Sequence, residues 1–561
     1  MKKISITSLL LLFLLPLLHA PYTSVQAQPA PAKKVATQVF TLTTFNADGT
    51  IHGSSHGVFT GKTGEAVAMW HPFNGAERAV IVDAKGKQYD VDVMVGVNEL
   101  YDLCRFRVKG YSAAGAPVTT SDAAASGVYV VGYDLKKPEI QKMTPLRSEK
   151  FMTTYNYYVF NDVDVSSTEL GCPVVNEAGQ LLGIMQRSEN GGQAYSADIR
   201  LTSAFKVNGM SINDQTLRAT GIRTALPDEE DQATLMLMLA AQQVDTAKYD
   251  AYIDDFIRLF PSSALGYNSR ATRLQQQGQL AAADQVLSQS LKNVTKKDEA
   301  YSKYAQTVYN AVIYRIDTTF TPWTLRRALE LAQGAEKINP LPFYKHQQAQ
   351  IIYAQGDYQK ALDLFTQLQQ TDLGKNGEVY FEAAQCKVQL NAPQQEVMDL
   401  LDRAVTVQDG TASAPYVLAR GRAYDNAGEY RKAFTDYLKY DSLVNFQGTH
   451  DFYFTKYKCE MKIRQYQLAL NDIAHAIVLN RTEPTYYAEM ASLQLRVNKP
   501  EDAIKTCDMA LALTQEYADL YIIKGVALCE TKQTAAGLEA LQKAQDLGDS
   551  RAADLIKKYK K

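Results

Sequence analysis

The stretch STELGCPVVNEAGQLLGI, Ser167 to Ile184, holds two hydroxyls and a thiol close together: Ser167, Thr168 and Cys172. Such a group attacks a carbonyl only when a base takes its proton and the base is itself oriented. Cys172 is the best nucleophile of the three by chemistry, but it directly precedes Pro173, where its side chain is expected to point away from a reacting centre. His52 and His56, in HGSSH, are two imidazoles without a third ligand, so a polar strand entry is expected there rather than a metal site. The six cysteines form no C-x-x-C pair. No metal and no other cofactor is therefore expected. The cysteines read as buried small hydrophobes. An oxidising compartment would permit a Cys104–Cys172 bridge, whose pairing the sequence leaves open.

The elements that must position these groups change character along the chain. From Val35 to about Phe205 short alternating runs such as QVFTLTTF and GVYVVGYD are split by turn signals at Lys85-Gly86 and Asn190-Gly191-Gly192. This pattern predicts an all-β domain over 35–206, a barrel or sandwich. A polar stretch, 207–231, is expected to be a linker. From 232 to 561 the hydrophobic period becomes 3.6 and a repeat appears. A small residue recurs at Ala283, Ala328, Ala361, Val397, Ala433, Ala469, Ala503 and Gly537, with final spacings of 36, 36, 36, 34 and 34. In VLARGRAYDNAGEYRKAFTDYLKY, Gly421, Tyr424, Gly428, Tyr430, Ala433 and Tyr437 fall on the small and aromatic positions of a tetratricopeptide repeat. About nine helix pairs and a polar capping helix are expected, an all-α superhelical solenoid in which each pair buries its face on the next.

The β half resembles the trypsin-like serine proteases of the HtrA type. The tail of the family's nucleophile stretch is intact in Pro173, Val174, Val175, Asn176, Gly179, Gly183 and Ile184, and the histidine and aspartate motifs match MWHPF and YDLCRFRV. The resemblance spans about Gly53 to Ile199. It implies two β-barrels with the site between them, His71 as base and Asp102 as its orienting acid. It also places Leu170 at the nucleophile position, where no acyl-enzyme can form. The family keeps glycine two residues before the nucleophile to shape an oxyanion hole. Here that residue is Thr168, and Glu169 beside it is expected to bring negative charge near the same point.

Lys2 and Lys3 before an apolar run, Leu9 to Leu18, and the Val25-Gln26-Ala27 cleavage pattern read as a signal peptide over 1–27. No cysteine is near that site, so a periplasmic or secreted protein that is not a lipoprotein is expected, with no membrane span. Lys plus Arg, 59, nearly balance Asp plus Glu, 61, which argues against nucleic acid as a partner. The resulting expectation is a pseudoprotease domain followed by a repeat array that binds a protein or peptide in its groove, with Arg422, Asp425 and Lys458 as groove-facing candidates. The rivals are an endopeptidase with an unusual serine or cysteine nucleophile, and an envelope assembly factor.

Overall fold

The computed structural model describes residues 29–61, 64–120, 127–134, 137–162, 165–188 and 192–560. The expected signal peptide and the turn at Asn190-Gly191 lie outside them. The chain divides into two compact units, one ending at Arg270 and one beginning at Ala271.

In the first unit, strands β1 (Val39–Phe45), β2 (Ile51–Phe59), β3 (Glu65–Ala68), β4 (Arg78–Asp83), β5 (Gln88–Asn98) and β6 (Leu103–Val108) close into a barrel in the order β1-β2-β3-β6-β5-β4. Alternation builds it. In β1, Phe40 and Leu42 point inward with Phe59, Ile81 and Phe106, while Thr41 and Thr43 point outward or to the barrel rim. Strands β7 (Val128–Asp134), β8 (Lys137–Met143), β9 (Arg147–Phe151), β10 (Tyr155–Asn161), β11 (Pro173–Val175), β12 (Leu181–Arg187) and β13 (Gln193–Asp198) form a second, seven-stranded sheet, ordered β8-β7-β11-β12-β13-β10-β9. All these strand pairs are antiparallel. A short helix, Ala30–Ala36, buries Ala32, Val35 and Ala36 in the same core as Val131, Leu181 and Ile184.

The segment expected to be a polar linker is packed. Leu217 and Ile222 join the core of the first barrel. The Met94 amide donates to the Arg223 carbonyl at 2.9 Å, and the Ala225 amide returns a bond to Met94 at 2.8 Å. Ile212 and Leu226 pack instead with Ala233, Met236 and Phe256 of the first two helices. The Arg223 guanidinium bridges Asp92 on β5 and Asp255 on the helix Thr246–Leu259. The polarity that reads as solvent-facing is consumed internally, so this segment fastens the barrel to the first helix pair.

Helices fill the chain from Glu230 to Tyr559. In the second unit each helix packs on its neighbour in sequence. The small-residue register is buried: Ala283, Ala328, Ala361, Ala433, Ala469 and Ala503 are fully enclosed. The reason is close approach. A Cβ at Gly421 would lie 2.9 Å from the Tyr437 ring, so glycine is what admits that tyrosine to the seam. The turns inside successive pairs repeat too. Gly356, Asn391, Gly428, Arg464, Asn498 and Lys532 all take left-handed φ, and the next amide in each case bonds back across the helix end, as from Glu429 to the Tyr424 carbonyl at 2.9 Å. Glycine and asparagine suit this backbone; arginine and lysine carry a strain of about 1 kcal/mol there.

Candidate functional site

His71 follows β3, and Asp102 sits in the turn between β5 and β6. That turn is shaped around the pair. Asp102 has φ +46°, its amide donates to the Glu99 carbonyl, and its own carbonyl accepts from the Gln186 side-chain amide at 3.1 Å. One Asp102 carboxylate oxygen accepts from the His71 backbone amide at 2.7 Å, and the other meets Nδ1 of the His71 ring at 2.7 Å. A carboxylate on Nδ1 leaves Nε2 as the outward nitrogen, the arrangement a general base requires. The His71 side chain is 64% exposed.

Leu170 lies in the turn before β11 and packs against the cores on both sides of it. It lines the same cleft as His71 and Asp102, a space of about 950 Å³ also bordered by Ser55, His56, Tyr101, Tyr157 and Tyr195. The sequence-predicted residues His71, Asp102 and Leu170 thus line one cleft. Gly171 explains how the turn fits. It has φ +83°, and a Cβ there would lie 2.7 Å from the backbone N and O of His56 and against the Ser55 hydroxyl. The Leu170 carbonyl sits 3.2 Å from Nδ1 of His56, whose burial pulls its pKa down.

Thr168 lies within a single 3-10 turn, Ser167–Glu169. The Glu169 carboxylate, expected to bring negative charge near an oxyanion position, is engaged within its own turn. It folds back to accept the Ser166 amide at 2.6 Å, and half-burial raises its pKa. Cys172 is enclosed in the second sheet's core, and burial first, then Glu169 and Glu139, push its thiol up to about 12. A thiol in that state supplies almost no thiolate at neutral pH. Cys104 and Cys172 are both unbridged.

His52 and His56 do not converge. The His52 ring nitrogens meet Asn46 Oδ1 and the Asn74 carbonyl. Arg422 and Lys458 are exposed, the Lys458 ammonium lying 4.7 Å from the Phe454 ring centre. Asp425 accepts from the Tyr437 hydroxyl at 3.1 Å within its own helix pair. Sequence reasoning missed the tyrosines of the cleft. Tyr157 stacks on Tyr195 at 5.1 Å, and burial, followed by Tyr195 and other neighbours, pushes the Tyr157 phenol up to about 12. The alternation of tyrosines in YNYYVF was their only visible signal.

The barrel, the second sheet and the cleft between them define a trypsin-like peptidase fold, here with a helical repeat region following in the same chain. The family model of the trypsin-like peptidase domain matches residues 54–184. No curated protein matches the chain. Among solved structures, YrrB, described as a tetratricopeptide repeat protein with an unusual peptide-binding site, is similar at 18% identity over 35% of this chain and 97% of its own, with a TM-score of 0.31. The active form of the Rv3671c protease of M. tuberculosis is similar at 12% identity over 34% of this chain and 92% of its own, TM-score 0.28. A serine endoprotease from Yersinia pestis shares 18% identity over 35% of this chain and 68% of its own, TM-score 0.27.

Proposed function

We propose that the trypsin-like domain cleaves no peptide bond and that the chain is an exported, periplasmic or secreted, protein-binding scaffold. One observation supports this reading: Leu170, which the family resemblance puts at the nucleophile position, lines the same cleft as the hydrogen-bonded His71–Asp102 pair. A leucine side chain offers no oxygen that a base could activate for acyl chemistry. The open cleft and the repeat array remain as two surfaces for polypeptide, the array through inner-helix side chains such as Arg422 and Lys458.

The intact His71–Asp102 bond favours a second reading, a peptidase whose nucleophile is Ser167 or Thr168, both of which line the cleft. The two readings separate in one experiment on the full chain. Wild type, His71→Ala and Leu170→Ser are incubated with a broad peptide library and with a serine-reactive active-site label. The scaffold reading expects no turnover and no labelling in wild type. Leu170→Ser should stay near background, because Thr168 replaces the glycine that shapes the oxyanion hole, and one lost donor there costs about a hundred- to a thousandfold. Wild-type turnover that disappears in His71→Ala would establish the peptidase.

A further inference from the structure

The second unit contains a histidine–carboxylate cluster unrelated to the cleft. His346 lies on the helix Pro342–Ala354. Glu378 and Glu382 lie one turn apart on the helix Glu378–Gln389, the first helix of the next pair. One donor atom from each of the three falls within 4.8 Å of the others. We propose that His346, Glu378 and Glu382 bind a divalent transition-metal ion of the zinc class. This inference stands apart from the reading of the cleft.

Three features favour an ion over a plain ion pair. The donor set comes first. One imidazole and two carboxylates match zinc and its neighbours, whereas calcium and magnesium prefer all-oxygen shells. The second is geometry. Ligand atoms on a tetrahedral zinc stand about 3.4 Å apart, from bonds of about 2.0–2.1 Å. Nε2 of His346 already meets Glu382 at 2.5 Å, so admitting an ion needs a carboxylate displacement of about 1 Å, within the reach of side-chain rotation. Residues four apart on one helix project in the same direction, which puts Glu378 on the same side as Glu382.

The third is the surrounding support. The Gln350 amide donates to the other oxygen of Glu382 at 2.8 Å, which fixes that carboxylate and leaves one oxygen toward His346. The His346 ring is held edge-on to Phe365, with centroids 5.8 Å apart. Hydrogen-bonded outer groups of this kind orient metal ligands and are part of a site's affinity. Glu378 is the most open of the three, which gives the ion an entry path and leaves room for water or a partner's side chain as fourth ligand.

The test uses the full chain, stripped with a chelator and dialysed. Cobalt(II) should give one equivalent of an intense visible ligand-field band, and zinc should raise Tm while magnesium does not. His346→Ala should abolish both signals. If that variant folds poorly, Glu378→Gln at the open edge keeps the packed residues and should weaken zinc binding at least tenfold. An absent band with no zinc-dependent Tm shift would overturn the proposal. So would zinc responses that are unchanged in His346→Ala and Glu378→Gln.

Discussion

His71 and Asp102 meet at 2.7 Å on the wall of an open cleft, whereas His346 and Glu382 meet at 2.5 Å between packed helices. The exposed side-chain fractions are 64% and 30% for the first pair and 10% and 13% for the second. The same chemistry therefore has different consequences. Water screens the cleft pair, so its bond sets the direction of a ring more than it stabilises the fold. In the second pair, burial opposes the charge on His346, but the Glu382 hydrogen bond and charge outweigh it and hold the imidazolium's pKa up. Removing one partner there strands the other in a poorly solvated place. Around the cleft the backbone carries the constraint; in the solenoid the side chains do.

The largest expected effect tests the backbone half of that contrast. Gly171→Ala must place a Cβ against Ser55 and the His56 backbone at a left-handed φ. Strain and overpacking together should cost about 4 kcal/mol in urea unfolding. A loss under about 1 kcal/mol would mean that the turn carrying Leu170 relaxes freely.

Next comes the buried pair. His346→Ala, measured on metal-free protein, should cost about 3 kcal/mol, because Glu382 loses its counter-charge. The wild-type advantage over this variant should also depend on pH. A histidine pKa raised in the folded state stabilises fully below the unfolded value near 6.5, and that contribution fades as pH rises through the folded value. A difference that grew between pH 6 and 9 would contradict the sign.

A buried carboxylate in the solenoid gives a gain rather than a loss. Glu460 is fully enclosed beside the carboxylate of Asp472, another acid. Burial, with the neighbouring Asp472, holds it well above the usual carboxylate range. The unfolded chain releases this proton near 4.5, so the folded state loses stability as pH rises from there. Glu460→Gln removes the titration and should raise Tm at pH 8 by more than it does at pH 5, a stabilisation of at least about 1 kcal/mol at the higher pH. Equal shifts at both pH values would show that Glu460 is solvated.

The smallest effect closes the comparison. His71→Ala should change stability by less than about 1 kcal/mol, since the pair it breaks is open to water. A loss as large as that of His346→Ala would erase the distinction between the two sites.

Some of this was legible in the residues alone. The solenoid register could be read because its contacts are local: a small residue every 34 to 36 positions must recur wherever one helix touches the next, and those alanines are buried. The hairpin after Leu170 could be read because its turn and strand residues are close in sequence, and Pro173 pairs with Ile184 and Val174 with Gly183 across it. Other features depend on contacts between distant residues, which no local pattern encodes. The polar look of 207–231 concealed Leu217 and Ile222, which find the barrel more than a hundred residues back in the chain. Glu169 turned toward Ser166 because a free backbone amide lay within reach, a choice among rotamers that composition does not express. His346 and Glu382 stand 36 residues apart in sequence, one repeat length, and became partners only when consecutive helix pairs stacked. Sequence fixed which faces had to be buried; the stacking decided which polar groups were carried in with them, because burial strengthens every charge interaction that it encloses.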